Sequence, residues 1–248
     1  MFKIYLITDR KLAAAHGGLI TMTEAALAAA PPDTVGLQLR EKDLDARELV
    51  GLAHKLRAVC DRHHATLLVN DRLDVAIAAG ADGVHLPANS FAVADARALL
   101  GGERLIGVST HDDREVIAAS RAGADFVVYG PVFDPVSKAA YTNARGADGL
   151  MAACRVASLP VFALGGITAA RIPELCARFA AADARPLDAP EGPVANGNGD
   201  VAETSTAMRS GAAAQPAGVA VIGAIYGAPD PAAAMRDLVD ALARGGSK

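Results

Sequence analysis

The sequence predicts one α/β domain folded as a (β/α)8 barrel, with a flexible insertion before the eighth strand. The length, an alternation of segment types and a repeated turn support this fold class. A chain of 248 residues that is 52% hydrophobic can bury the core of one such barrel. Short β-branched runs alternate with Ala-rich stretches of helical period, which is typical of βα units in a parallel sheet.

Eight apolar runs are predicted as strands. They are residues 2–7, 35–39, 67–69, 84–86, 105–108, 126–129, 161–164 and 219–222. The helices predicted between and after them include residues 46–62, 93–100, 114–122, 171–181 and 231–244. An Ala-Gly-Ala-Asp turn at 79–82 recurs at 122–125, where Gly suits the end of a helix. Eight strands without a GxGxxG after the first favour a closed barrel over an open doubly wound sheet.

One segment interrupts this alternation. Residues 183–216 are rich in Ala, Gly, Pro, Asn, Asp, Ser and Thr and have almost no large apolar side chain. Such a composition does not offset the entropy of ordering, so the segment is expected to be a disordered insertion. The whole chain, 1–248, is then one barrel domain, and a tolerated surface loop explains the insertion better than a functional lid.

Composition excludes several classes of function. A net charge of −4 with interspersed acids and bases leaves no basic stripe for nucleic acid and no polybasic membrane anchor. Cys60, Cys154 and Cys176 lie in apolar segments without metal-ligand spacing, and are expected to be reduced and buried. No signal peptide and no apolar run of about 20 residues is found. We expect a cytoplasmic protein that acts on small molecules. The sequence leaves the oligomeric state open, with a homo-oligomer as one possibility.

Polar residues follow several predicted strands, at the end of a barrel where chemistry gathers. Side chains of a strand alternate, so Gln38, Arg40 and Lys42 are expected on one face and Glu41 on the other. The two cations predict an anion site, and Asp71, after the third strand, is suited to a bridging Mg²⁺. Further polar residues of this set are Asn70, His85, Ser109, His111, Ser137 and Lys138.

A second anion signal lies in the last two βα loops. Gly165-Gly166 follows the seventh strand, and Ile222-Gly223 follows the eighth. Barrels often bind phosphate at these loops through backbone N–H groups, although a pair of tight turns also explains the glycines.

These motifs together resemble the thiamine phosphate synthase/TenI family. The matching runs are YLITDR (5–10), QLREK (38–42), VNDR (69–72), DGVHL (82–86), GVSTH (107–111), GPVF (130–133), GGI (165–167) and VIGAI (221–225). The resemblance implies a (β/α)8 barrel of thiamine biosynthesis. The family's synthase joins hydroxymethylpyrimidine diphosphate to a thiazole phosphate and releases diphosphate, whereas its TenI-type members isomerise a thiazole carboxylate phosphate.

The resemblance also implies a role for each matched position. Gln38, Arg40, Lys42 and Asn70 would hold the pyrimidine and its diphosphate, with Ser137 and Lys138 also contacting the diphosphate. Asp71 would bind one Mg²⁺ per subunit, and Gly166, Ile222 and Gly223 would hold the thiazole phosphate. Ser109 belongs to the expected substrate-binding set, and Arg40, Lys42, Lys138 and His111 to the catalytic set.

Two departures bear on the choice between activities. Ser90 stands where the synthase has its second Mg²⁺-binding Asp, and a neutral hydroxyl does not replace that charge. The second is the run Asp134-Pro135-Val136-Ser137-Lys138, which lacks one hydroxyl of the synthase pattern. His111 matches the acid/base proposed for the TenI-type tautomerase, but synthases also often have a histidine at that place, so it does not decide between them. The intact Arg40, Lys42, Asn70 and Asp71 favour the synthase, because a tautomerase substrate carries a single phosphate. The tautomerase is the alternative, and a non-catalytic regulator that binds thiazole phosphate is a third hypothesis.

Overall fold

The computed structural model describes residues 1–134, 144–183 and 215–245 of the protein. Its strands form a closed parallel barrel in which each strand pairs with the next along the chain, and β8 pairs with β1. The strands are β1 (Ile4–Ile7), β2 (Val35–Leu39), β3 (Thr66–Asn70), β4 (Gly83–Leu86), β5 (Leu105–Thr110), β6 (Phe126–Tyr129), β7 (Val161–Leu164) and β8 (Gly218–Val221). The predicted fold class and all eight predicted strands are therefore confirmed, with ends that shift by one or two residues.

Helices cover the outside of the barrel. They are α1 (Arg10–Ala14), α2 (Leu19–Ala28), α3 (Ala46–Arg62), α4 (Leu73–Ala78), α5 (Val93–Leu100), α6 (Asp113–Arg121), α7 (Gly146–Val156), α8 (Ile172–Asp183), α9 (Gly223–Tyr226) and α10 (Pro231–Gly245). The bounds predicted for α3 and α5 agree with the structure. In α3, Asp45 and Glu48 form a reciprocal capping box, which gives this helix a clear start in the sequence.

Some helices were not predicted. Helices α1, α4 and α9 have 5, 6 and 4 residues, too few to display a helical period. Helix α2 begins after Gly18 without a side-chain cap, so its start carries no capping signal either. The repeated Ala-Gly-Ala-Asp turn behaves as predicted, because Gly80 and Gly123 have φ angles of 61° and 87° just after their helices.

Two cores hold the barrel together. The larger lies between the strands and the helices, and receives every second strand residue, such as Leu67 and Val69 of β3. The smaller fills the barrel interior with Phe2, Tyr5, Phe126, Phe162 and their neighbours. Gly107 on β5 leaves room for this aromatic cluster, since a Cβ there would lie 2.3 Å from the Phe126 ring. The aromatic rings thus form a packed floor below the open end of the barrel.

The predicted insertion falls mainly outside the described residues, which resume at 215. Its predicted start is wrong by one residue, because Asp183 is the last residue of α8. All three cysteines are free, and Cys60 and Cys154 are buried as predicted, whereas Cys176 is only partly buried. Within the described ranges, no helix is both long and apolar enough to cross a membrane.

Candidate functional site

A polar group stands inside the barrel, directly above the aromatic floor. Gln38, the penultimate residue of β2, is 1% exposed, and its Nε2 donates to the Tyr5 hydroxyl at 3.1 Å. Burial raises the pKa of Tyr5, so this hydroxyl stays protonated. The Oε1 atom of Gln38 is buried and has no hydrogen-bond partner within the described part of the chain. A buried acceptor left in this way is suited to a donor on a bound molecule.

His85 on β4 faces the same interior. It is 3% exposed, its ring centroid lies 5.7 Å from that of Tyr5, and its Nε2 is 2.8 Å from Ser109 Oγ. Burial, and then the nearby charge of Arg40, lowers the pKa of His85 to about 3, so the ring is neutral near pH 7. Its Nδ1 is also buried without a partner among the described residues. Gln38 and His85 therefore offer two unsatisfied polar atoms in a dry site.

The two cations of the QLREK run lie at the rim above this interior. Strand β2 ends at Leu39, so the predicted strand alternation does not extend to Arg40 and Lys42. Both side chains are exposed, and both line a cavity of about 260 Å³ together with Thr8, Asp9, Lys11, Glu41 and Asp43. Neither forms an ion pair with a described residue. Both positive charges are thus available to an anion.

Glu41 lines the same cavity as these cations, but its carboxylate pairs with Arg10. It is 6% exposed, accepts a hydrogen bond from the backbone N–H of Arg10 at 3.0 Å, and pairs with the Arg10 side chain at 3.7 Å. Burial raises the pKa of the Glu41 carboxyl. The acid therefore belongs to the scaffold between β1 and β2, and Arg10 neutralises it.

Asp71 and Ser90 are brought together at the ends of β3 and β4. Asp71 has a φ of 66°, a left-handed conformation that is uncommon for a residue other than glycine. Its backbone N–H donates to the His85 carbonyl at 2.9 Å. Ser90 Oγ donates a short hydrogen bond to Asp71 Oδ1. The serine thus stands beside the carboxylate, where the family resemblance expected a second acid.

His111 lies at the end of β5, where its ring has a fixed tautomer. Its Nδ1 is 2.6 Å from the carbonyl oxygen of Gly130, and a carbonyl only accepts, so Nδ1 carries the proton. The neutral ring then presents Nε2 as an acceptor, for which the described residues provide no partner. His111 is exposed at the rim and is separated from the buried His85.

The opposite side of the mouth offers backbone groups. Gly165 and Gly166 have φ angles of 104° and 58°, so this loop requires glycine for its conformation. No backbone acceptor within the described ranges is found for the N–H groups of Gly166, Ile167, Gly223 and Ala224. A Cβ on Gly223 would meet nothing within 4 Å, whereas one on Gly166 would lie 2.6 Å from Arg171 Nη1. Open space therefore adjoins Gly223, and Gly166 is needed for close packing.

Two predicted site residues lie outside the described part of the chain, and one residue that contacts the site loops was not predicted. Ser137 and Lys138 lie outside the described residues. His85 was among the polar residues predicted at the strand ends, but no role was assigned to it, and Arg171 was not predicted. Nothing local in the sequence identifies Arg171, whose role depends on contacts across two loops.

A larger cavity lies away from this mouth. It measures about 470 Å³ and is lined by residues of α6, β6 and α7, including Asp112, Asp113, Arg114, Tyr129 and Arg145. Tyr129 belongs to the outer core, so this cavity does not open into the barrel interior.

Fold and site together define the class as a (β/α)8 barrel with groups suited to phosphorylated small molecules at the carboxyl ends of its strands. The profile of the TMP-TENI family, described as thiamine monophosphate synthase, matches residues 4–184. The chain belongs to this thiamine monophosphate synthase family.

Individual relatives agree with the family profile. A putative thiamine-phosphate synthase of Geobacter sulfurreducens is 51% identical over 180 residues, which are 73% of this chain and 83% of the relative. The thiamine-phosphate synthase of Salinispora tropica is 36% identical over 242 residues, 97% of each chain. The structure of a thiamine phosphate pyrophosphorylase from Pyrococcus furiosus superposes with a TM-score of 0.75 at 25% identity, covering 99% of this chain and 98% of that one.

Proposed function

We propose that the protein is a thiamine-phosphate synthase, which joins hydroxymethylpyrimidine diphosphate to thiazole phosphate and releases diphosphate. One observation carries this proposal: the barrel mouth offers two groups of different construction that are suited to anions. Arg40 and Lys42 supply side-chain charge at the end of β2, and the loops after β7 and β8 supply backbone N–H groups without a backbone acceptor among the described residues. Two phosphorylated substrates require two such sites.

The barrel interior suits the pyrimidine ring. An aminopyrimidine carries an exocyclic amino group that donates and ring nitrogens that accept. Gln38 Oε1 is an acceptor without a partner among the described residues, and His85 Nδ1 is a second such polar atom nearby. The ring would lie above the aromatic side chains of Tyr5 and Phe126, which exclude water from below. Asn70 and Ser109 would complete this pocket, with Ser109 already in contact with His85.

The reaction needs little from the protein besides binding and charge. The carbon–oxygen bond between the pyrimidine methylene and the diphosphate breaks, and both electrons leave with the diphosphate. The thiazole nitrogen then donates its lone pair to the methylene carbon, so no general base is required. Arg40 and Lys42 would stabilise the negative charge that grows on the leaving group. Lys138, which lies outside the described residues, would join them.

The donor set at Asp71 fits a magnesium ion that takes most of its ligands from substrate and water. Among the described residues, no group of three or more His, Cys, Asp or Glu side chains could hold a metal alone. Mg²⁺ commonly binds one or two carboxylates together with substrate phosphates. Asp71 would supply the carboxylate and Ser90 a neighbouring hydroxyl. When bound, the ion would neutralise part of the diphosphate charge.

The tautomerase and the regulator receive less support than the synthase. His111 presents an unoccupied Nε2 at the rim, as a tautomerase would need. Both relatives described above are, however, named as synthases. A substrate with a single phosphate would also leave the cationic site of Arg40 and Lys42 without a ligand. Cytoplasmic location and oligomeric state stay predictions.

A reconstituted reaction tests the proposal. Pure protein is incubated with Mg²⁺, hydroxymethylpyrimidine diphosphate and thiazole phosphate, and thiamine phosphate and diphosphate are measured against a protein-free control. We expect both products in equal amounts. Absence of both products would refute the synthase. Turnover of the thiazole carboxylate phosphate that is lost in His111→Ala would instead support the tautomerase, and tight thiazole phosphate binding without turnover the regulator.

A further inference from the structure

Arg171, the residue before α8, contacts two loops of the barrel mouth at once. Its Nη1 donates to the carbonyl oxygen of Gly166 at 2.8 Å, in the loop after β7. Its guanidinium lies over the Phe133 ring at 4.9 Å, in the segment after β6, and reaches the Asp134 carbonyl at 3.5 Å. A hydrogen bond from a charged donor and a cation–π contact both hold this side chain in one position.

Backbone hydrogen bonds join the same two loops. The N–H of Val132 donates to the Leu164 carbonyl at 2.7 Å, and the N–H of Phe133 donates to the Gly165 carbonyl at 3.0 Å. Neither bond reaches Gly166, whose carbonyl depends on Arg171. Arg171 therefore extends the junction between the loops by one residue, to the peptide at the open end.

The geometry of the peptide bond gives this contact a consequence for ligand binding. In a trans peptide the C=O of Gly166 and the N–H of Ile167 point in opposite directions. Fixing the carbonyl on Arg171 therefore fixes the direction of the Ile167 N–H, which has no acceptor within the described ranges. Gly166 has no Cβ to restrict its rotation, so its peptide would otherwise be free to turn.

We propose that Arg171 is a positioning residue for thiazole phosphate, which fixes the Gly166–Ile167 peptide so that its N–H is directed toward the phosphate. The inference rests on the proposed synthase function. The contact of Arg171 Nη1 with the loop carbonyl acts on the peptide and leaves the phosphate to the backbone N–H. Its removal should therefore weaken the binding of thiazole phosphate and leave the diphosphate half of the site unchanged.

The test compares Arg171→Met and Arg171→Lys with the wild-type enzyme in steady-state kinetics with each substrate varied. We expect Arg171→Met to raise KM for thiazole phosphate about tenfold, the effect of losing one charge-assisted hydrogen bond. Arg171→Lys keeps a cation that can reach one carbonyl, so a rise of about threefold is expected. KM for the pyrimidine diphosphate should stay within about twofold in both variants.

A purely structural role would give a different pattern. It would lower the melting temperature and the active fraction, and would leave KM for both substrates unchanged. Arg178→Met, in the helix that follows Arg171, is the matched control, because Arg178 is exposed and its one ion pair with a described residue is to Asp148, at 3.8 Å. An unchanged KM for thiazole phosphate in Arg171→Met would overturn the proposal. If that variant does not fold, Arg171→Lys decides by the same criterion.

Calorimetry with thiazole phosphate separates failure of this inference from failure of the synthase assignment. If the wild-type protein makes no thiamine phosphate, its affinity for thiazole phosphate is compared directly with that of Arg171→Met. A loss of about tenfold would support the role of Arg171 without the synthase function. Equal affinities, or no binding to the wild-type protein, would overturn it.

Discussion

The two halves of the barrel mouth differ in the groups that they offer to an anion. The half from β1 to β5 uses side chains, with exposed Arg40 and Lys42 above the buried Gln38 and His85. The half from β6 to β8 uses backbone N–H groups in loops whose shape depends on glycine and on Arg171. A diphosphate that leaves requires charge, whereas a phosphate that only anchors its substrate requires a fixed shape. Mutations in the two halves should therefore have different effects on activity and stability.

The largest expected effect is in the side-chain half. Arg40→Gln removes a charge that would stabilise the departing diphosphate and should lower kcat/KM by roughly 10²- to 10³-fold, a typical loss for one such group. The melting temperature should not fall, because Arg40 is exposed and has no ion pair with a described residue. The measurement is initial rate with both substrates varied.

Arg47→Gln is the control for this substitution. Arg47 is an exposed arginine on α3 and lies outside the mouth. Its activity should match that of the wild-type enzyme. A loss below about tenfold in Arg40→Gln would show that the charge of this half is dispensable and would remove the distinction between the two halves.

The backbone half should respond through stability. A Cβ at Gly166 would lie 2.6 Å from Arg171 Nη1 and 2.7 Å from the Asp134 carbonyl, at a φ of 58°. Gly166→Ala should therefore lower the free energy of unfolding by about 1–3 kcal/mol. Gly223→Ala has open space around it, and its stability should stay within about 0.5 kcal/mol of wild type.

Urea unfolding of both alanine variants measures this contrast. KM for thiazole phosphate should rise in both, since each methyl group alters a loop that offers N–H groups to the phosphate. Equal stability of the two variants would contradict the requirement for close packing at Gly166.

The sequence predicted the side-chain half better than the backbone half, and the reason is physical. Charged and amide residues after an apolar strand indicate both their chemistry and their location, so Gln38, Arg40 and Asp71 could be singled out from the residues, and Ser90 from the family resemblance. In the other half the sequence shows glycines, which fit a tight turn and a phosphate loop equally well. Which role applies depends on a φ angle and on the approach of Arg171, both set by tertiary packing.

The fold itself was predictable because strand periodicity is repeated eight times. Among the helices that were missed, α1, α4 and α9 contain too few residues to display a helical period. We expected Arg40 and Lys42 to share a face because of side-chain alternation along β2. That reason was wrong, because the strand ends at Leu39. Both cations are nevertheless near the mouth, since the turn after β2 remains at the rim.

A smaller effect is expected from pH acting on the interior of the side-chain half. The pKa of His85 is about 3 in the folded protein and near 6.5 when unfolded. The unfolded chain therefore binds this proton first, so stability is complete above about pH 6.5 and falls as the pH drops toward 3. Between pH 8 and pH 5 the wild-type protein should lose about 2 kcal/mol more than His85→Gln.

Urea unfolding of both proteins at the two pH values measures this difference. The exposed histidines and the acidic groups are common to the two proteins, so their contributions cancel in the comparison. Arg40 is the charged group that faces His85, and it is also unchanged. Parallel losses in the two proteins would show that His85 is accessible to water and not part of a dry pocket.

The smallest expected effect concerns the metal. Ser90 donates to Asp71 Oδ1, so one carboxylate oxygen already accepts a hydrogen bond, and Asp71 would offer a bound ion a single negative charge. Ser90→Asp would place two carboxylates side by side, which repel each other until a cation binds. We expect Mg²⁺ to bind about tenfold more tightly to Ser90→Asp than to wild type in the presence of diphosphate, measured by calorimetry. Mg²⁺ should also raise the melting temperature of Ser90→Asp more than that of the wild-type protein.

Ser90→Ala, which removes the hydrogen bond without adding charge, is the matched control, and its Mg²⁺ affinity should stay within about threefold of wild type. If Ser90→Asp binds Mg²⁺ no more tightly than Ser90→Ala, then Asp71 does not contact the ion, and the charge of Arg40 and Lys42 alone would serve the diphosphate.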